Sequence, residues 1–129
     1  MTSLLKLVNV MHNNILKKNK KIVVTYKYTY INFLNELVQL NLINAFKFSK
    51  KTNLITIFYK KRNQLNHIKQ IKFYSCATNK IILNSKQLKQ LTETTSKTIY
   101  FLSTSNGICN NFKSIKDNRG GLLLFKIVV

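Results

Sequence analysis

Leu4, Leu7, Val8, Met11 and Ile15 recur at the three-and-four spacing of one helix face, behind Thr2 or Ser3 as an N-cap. That spacing predicts a helix over about residues 3–16. The pattern breaks at Lys17-Lys18-Asn19-Lys20-Lys21, a solvated loop, and resumes as the β-branched run Ile22-Val23-Val24-Thr25, which reads as a strand. Ile31, Leu34, Leu37 and Val38 predict a second helix over about 30–41. Extended stretches follow at 43–48 and 54–59, and Lys50-Lys51-Thr52-Asn53 between them predicts a β-hairpin turn. Past a polar, basic stretch at 60–67, residues 68–74 and 81–83 read as extended, 85–91 as a short helix and 98–102 as a strand. Asn110 or Asn111 caps a further short helix ending near 117, and 122–129 closes a sheet. The whole predicts an α+β fold of two small lobes. Residues 1–64 form an α-β-α-β-β lobe, and residues 65–129 form an antiparallel sheet with short helices.

Composition changes the picture mainly through charge. The 129-residue chain carries 22 Lys and Arg against three acids, a formal net charge of +19. Such an excess is self-repulsive unless a polyanion or an anionic surface neutralises it, and nucleic acid is the first candidate. Part of the lysine count fits an AT-rich genome, since the chain also has 17 Asn, 14 Ile and no Pro or Trp. The scarcity of acids does not follow from that bias. At 45% hydrophobic residues the chain has material for a core. No apolar run reaches the roughly 18–20 residues that span a bilayer, because 122–129 is short and interrupted by Lys126. The first 21 residues are basic but lack arginine, unlike most organelle transit peptides, and read as mature protein.

Catalytic readings lack parts. Glu36, Glu93 and Asp117 are scattered along the chain, so no paired-carboxylate site is expected. His12 and His67 read as surface or RNA-facing residues. Cys76 and Cys109 stand apart without metal-ligand spacing and read as small hydrophobes. Ser103 or Ser105 as a nucleophile has no evident base. The sequence predicts no catalytic residue, metal, cofactor or small-molecule substrate.

RNA binding, by contrast, is well supplied. Lys27, Lys50, Lys51 and Lys113 sit in loops or at element ends, where ammonium groups meet phosphates at little packing cost. Tyr26, Tyr28 and Tyr30 interleave with Lys27, a pattern that suits either base stacking or a strand face on the core. The three glycines, Gly107, Gly120 and Gly121, all fall in the last 23 residues. They frame Ser103-Thr104-Ser105-Asn106-Gly107, whose short polar groups beside a glycine make a compact hydrogen-bonding tip. Each glycine marks a place needing φ > 0 or a close approach.

These residues carry a resemblance. Ser103-Thr104-Ser105-Asn106-Gly107, thirteen further positions to Gly120-Gly121, and an apolar strand after them are similar to small-subunit ribosomal protein eight of the bacterial type. Asn13 falls where the first helix of that family ends in an Arg-Asn pair, and Leu42-Ile43-Asn44-Ala45-Phe46 resembles its approach to the hairpin. His12 and Lys6 depart from the family's usual arginine and aspartate, and Ser75 to Lys80 lacks the proline and glycine of its turn. The resemblance implies a structural, non-enzymatic constituent of the small ribosomal subunit that binds the central domain of its rRNA, supports assembly and touches neighbouring ribosomal proteins. It implies RNA contacts at Ser103, Thr104, Ser105 and Gly107, with Asn106 at a variable position, and at Asn13 and Lys27; Gly120 and Gly121 would form a structural turn. Erosion of the middle third and the AT-rich profile lead to the expectation of a mitochondrial, organelle-encoded protein, with a plastid or an AT-rich bacterial cytoplasm as alternatives. The competing class is a basic nucleic-acid-binding or peripheral membrane protein outside the ribosome. A hydrolase using Ser105 is a third.

Overall fold

The computed structural model describes residues 2–17, 20–60, 68–74, 81–95, 97–105 and 107–129. Among them the fold is α+β, with four helices and eight strands in two antiparallel sheets. Close contacts divide the chain into Met1–Gln70 with Val129, and Ile71–Val128. The lobe boundary expected after residue 64 falls in 61–67, outside the described residues.

The first unit begins with α1 (Thr2–Leu16), and Leu4, Leu7, Val8 and Met11 are its buried stripe, as the spacing predicts. Strand β1 (Lys21–Thr25) leads into α2 (Tyr28–Gln39). This helix starts two residues earlier than expected, because Lys27 is extended and its carbonyl takes the Tyr30 N–H at 3.0 Å. The buried face is Tyr30, Phe33, Leu34 and Leu37; Ile31 is half-buried and Val38 exposed, so the apolar stripe lies one position round from the expected one. Strands β2 (Ile43–Ser49) and β3 (Leu54–Tyr59) form the predicted hairpin, and β1 pairs with the other edge of β3, giving the order β1-β3-β2. Ile22, Ile55 and Ile57 fill its buried face. Burial pushes the Tyr59 hydroxyl above its ordinary pKa, and that oxygen has no hydrogen-bond partner among the described residues.

Asparagine does much of the turning. Asn41 ends α2 at φ 62, with the Leu42 N–H reaching the Leu37 carbonyl at 2.9 Å. Asn53 closes the hairpin at φ 57, its N–H on the Ser49 carbonyl at 2.9 Å. Asn118 adopts φ 53. The short amide side chain tolerates this left-handed region better than most residues.

The second unit contains β4 (Gln70–Phe73) from Ile71 on, β5 (Ile82–Leu83), α3 (Ser85–Thr94), β6 (Thr98–Thr104), β7 (Gly107–Asn110), α4 (Asn111–Lys116) and β8 (Gly121–Val128). The order is β4-β8-β6-β7, and β5 pairs with β8 on the edge that β4 also uses. Strand β6 is central, and Ile99 to Leu102 are buried on both of its faces. Tyr100 and Leu102 pack with Leu88 of α3 and Leu123 of β8. On the opposite face the Phe101 and Phe125 rings stack with centroids 4.9 Å apart.

A polar bridge ties these layers. Asn111 is fully buried; its Oδ1 accepts the Tyr100 N–H at 3.2 Å and its Nδ2 donates to Thr92 Oγ1 at 2.8 Å. Thr92 in turn donates to the Leu88 carbonyl at 2.9 Å, so each polar side-chain group in the bridge is partnered and α3, α4 and β6 are held in one geometry. Asn110 is the cap of α4, accepting the Lys113 N–H at 2.8 Å.

Candidate nucleic-acid interface

The Ser-Thr-Ser-Asn-Gly segment, expected to be a loop, is the end of a hairpin. Ser103 and Thr104 belong to β6 and Gly107 opens β7, a strand the sequence pattern did not reveal. Thr104 pairs with Gly107, which closes the β6–β7 hairpin. Asn106 itself lies outside the described residues. Gly107 has φ +97, and nothing within 4 Å would meet a Cβ there, so glycine is required by conformation rather than by space. Thr104 Oγ1 donates to the Gly107 carbonyl at 2.9 Å, and buried, free Cys109 lies 3.6 Å from the same hydroxyl. Ser103 is half-buried between Ile108 and Leu122, while Ser105 is exposed. Cys76 is outside the described residues.

Gly120 and Gly121 serve the tip differently. Neither has positive φ; each lets backbone come close. A Cβ on Gly121 would collide with the Ser103 carbonyl oxygen and lie 3.2 Å from Thr104 Cγ2. A Cβ on Gly120 would collide with the Leu83 carbonyl oxygen and stand 2.6 Å from Asn84 Cα. The start of β8 is thus pressed against the base of the hairpin at Gly121 and against the β5–α3 junction at Gly120. The turn leading into it ends α4, with the Arg119 N–H on the Ser114 carbonyl at 2.9 Å. Its guanidinium then reaches the tip: Arg119 Nη1 donates to Ser105 Oγ at 2.7 Å. A guanidinium that keeps its proton cannot be the base that a serine nucleophile needs.

In the first unit, Lys27, Lys50 and Lys51 are exposed and collect at one end of the three-stranded sheet. The Tyr26 N–H bonds the Asn53 carbonyl at 3.0 Å, which joins the exit of β1 to the hairpin turn carrying the two lysines. The tyrosines beside Lys27 divide. Tyr30 is buried, and half-buried Tyr26 stacks on Phe48 with centroids 4.3 Å apart. Only Tyr28, 74% exposed, has a ring available to a base. Asn13 is exposed in the last turn of α1, before the chain enters β1, whereas the lysines gather at its exit. Lys113 is exposed on α4, at the end of β7 away from the tip.

Sequence reasoning missed Arg119. The available signal was its rarity, one of two arginines among 22 basic residues, immediately before Gly120-Gly121. Among the described residues no group of His, Cys, Asp and Glu could hold a metal ion, and no helix is long and apolar enough to cross a membrane.

Compared with models of protein families, the chain matches the one described as Ribosomal protein S8 over residues 3–128. No individual curated protein matches it.

Proposed function

The chain belongs to the ribosomal protein S8 family, a family of structural ribosomal proteins and not of enzymes, and from that premise we propose that it binds the central domain of the small-subunit rRNA and supports its assembly. Membership makes small-subunit rRNA and ribosomal proteins its partners and the ribosome its location. The observation that carries the finer reading is the tip. It is a short hairpin end bearing hydroxyls, supported from behind by backbone packed against Gly121. Affinity from phosphates is indifferent to sequence, so a shaped tip is what selects one irregular RNA site.

In this reading Ser103, Thr104, Ser105, Asn106 and Gly107 contact the RNA core. Asn13, Lys27, Lys50, Lys51 and Lys113 hold flanking backbone, and Gly120 and Gly121 fix the base of the tip. The half 1–64 then supplies grip, joined by Lys113, and the half 65–129 supplies the choice of site. The abundance of Asn, Ile and Lys supports an organellar, mitochondrial origin with the gene in the organelle. Sedimentation tests the assignment. The protein should co-migrate with mitochondrial small subunits; recovery only in a free or membrane-bound pool overturns it, and recovery with plastid or bacterial subunits overturns the origin alone.

Ser105→Ala is the direct test of the tip. Removing one hydrogen bond at an RNA contact should weaken binding to a central-domain rRNA helix by roughly 5- to 10-fold. Binding to a generic duplex of equal length, measured by filter retention at the same salt, should be nearly unchanged. Equal losses on both RNAs would refute the assignment.

A further inference from the structure

We propose that Arg119 is a specificity-determining residue of the tip, acting with Ser105 as one donor pair that grips a phosphate where the RNA backbone is irregular; this rests on the rRNA-binding reading above. A guanidinium is donor-only and does not lose its proton, so in the 2.7 Å contact Ser105 Oγ must be the acceptor. The serine's single O–H is then left to donate elsewhere. Both residues are exposed, so a ligand reaching the tip meets that hydroxyl beside a positive fork. Two adjacent donors with a fixed positive charge match the non-bridging oxygens of one phosphate.

The pair is held by the fold. The Arg119 backbone N–H is bonded to the Ser114 carbonyl at 2.9 Å, and Asn118 before it is fixed in the left-handed region, its Oδ1 accepting from Ser85 Oγ at 2.7 Å. Gly120 after it is packed against Leu83 and Asn84. The guanidinium therefore starts from a fixed base, unlike the lysines at the β2–β3 turn, and its contact joins positions 14 residues apart in sequence. A phosphate contact normally carries no sequence information. One made by two paired side chains does so indirectly, because only an RNA whose backbone turns at that place can present its phosphate to both donors.

The test compares R119M, R119K, S105A and the double variant R119M/S105A on a central-domain rRNA helix and a generic duplex. Melting of each variant confirms that the exposed substitutions leave the fold intact. R119M should weaken rRNA binding roughly 10- to 100-fold, the range of a hydrogen bond to a charged group, and duplex binding by no more than about threefold. R119K should recover duplex binding and not the preference for rRNA, because an ammonium lacks the fork. The double variant should be little worse than R119M, since the two side chains act together. A methylphosphonate at the contacted position should cost the wild type affinity and leave R119M indifferent. Equal losses on both RNAs, full rescue by R119K, or additive losses overturn the proposal. If the wild type itself shows no preference for the rRNA helix, the functional reading fails and takes this one with it. If that preference stands and R119M keeps it, only this proposal falls.

Discussion

Gly121→Ala should destabilise the protein by about 3 kcal/mol, near the upper end of what overpacking costs, and lower its melting temperature by roughly 10 °C. The new methyl group has no room to its rear. It meets the Ser103 carbonyl, a backbone atom already bound into the sheet, and not the yielding end of a side chain. Relief requires β8 to move away from β6 at the Ser103–Leu122 pairing, which also shifts Thr104 and the tip. RNA affinity should therefore fall by more than at Gly107→Ala. There nothing collides, and the cost is the roughly 1–2 kcal/mol of placing an L-residue at positive φ. Thermal unfolding followed by circular dichroism decides it. A Gly121→Ala protein that melts within about 2 or 3 °C of the wild type means that close approach does not explain this glycine.

Raising salt from 50 to 200 mM should lower affinity for the rRNA by roughly three to five orders of magnitude, if about six to ten phosphates are contacted. The source is the release of counterions from RNA as lysines replace them, and the chain's +19 charge with only three acids is why the dependence should be steep. Lys50 and Lys51, exposed together at the hairpin turn, provide the internal control. Replacing both with alanine should weaken binding to every RNA alike and reduce the steepness of the log–log salt plot by about two, one for each phosphate left without its lysine. An unchanged slope would show that these two lysines do not touch RNA.

Much of the fold was legible wherever its cause is local. The α1 stripe and the β2–β3 hairpin are written in short-range spacing, and both stand close to where the sequence puts them. The face of α2 was misjudged because Tyr30 and Phe33 compete with Ile31 and Val38 for the core, and burial is settled by the sheet beneath rather than by hydropathy. Strand β7 was illegible for a similar reason. Gly107-Ile108-Cys109-Asn110 has almost no alternation of its own, and it is a strand because β6 offers it an edge. At the tip, glycine scarcity marked positions where the backbone is constrained but not the constraint at each, positive φ at Gly107 and close approach at Gly120 and Gly121. Arg119 escaped because its partner Ser105 is brought to it by two turns and a helix, and no periodicity encodes that meeting.

The left-handed asparagines bear on how such a chain drifts under mutation. Asn41, Asn53 and Asn118 sit at φ 62, 57 and 53, all near the centre of the one left-handed well that asparagine enters at modest cost. A genome pressed toward A and T can exchange glycine for asparagine at such turns and keep the backbone where it was. It cannot do so at Gly107, whose φ of 97 lies outside that well, or at Gly120 and Gly121, where any side chain strikes backbone. The three glycines are thus positions where asparagine is no equivalent substitute: Gly107 for its φ, Gly120 and Gly121 for the Leu83 and Ser103 backbone that a side chain would strike.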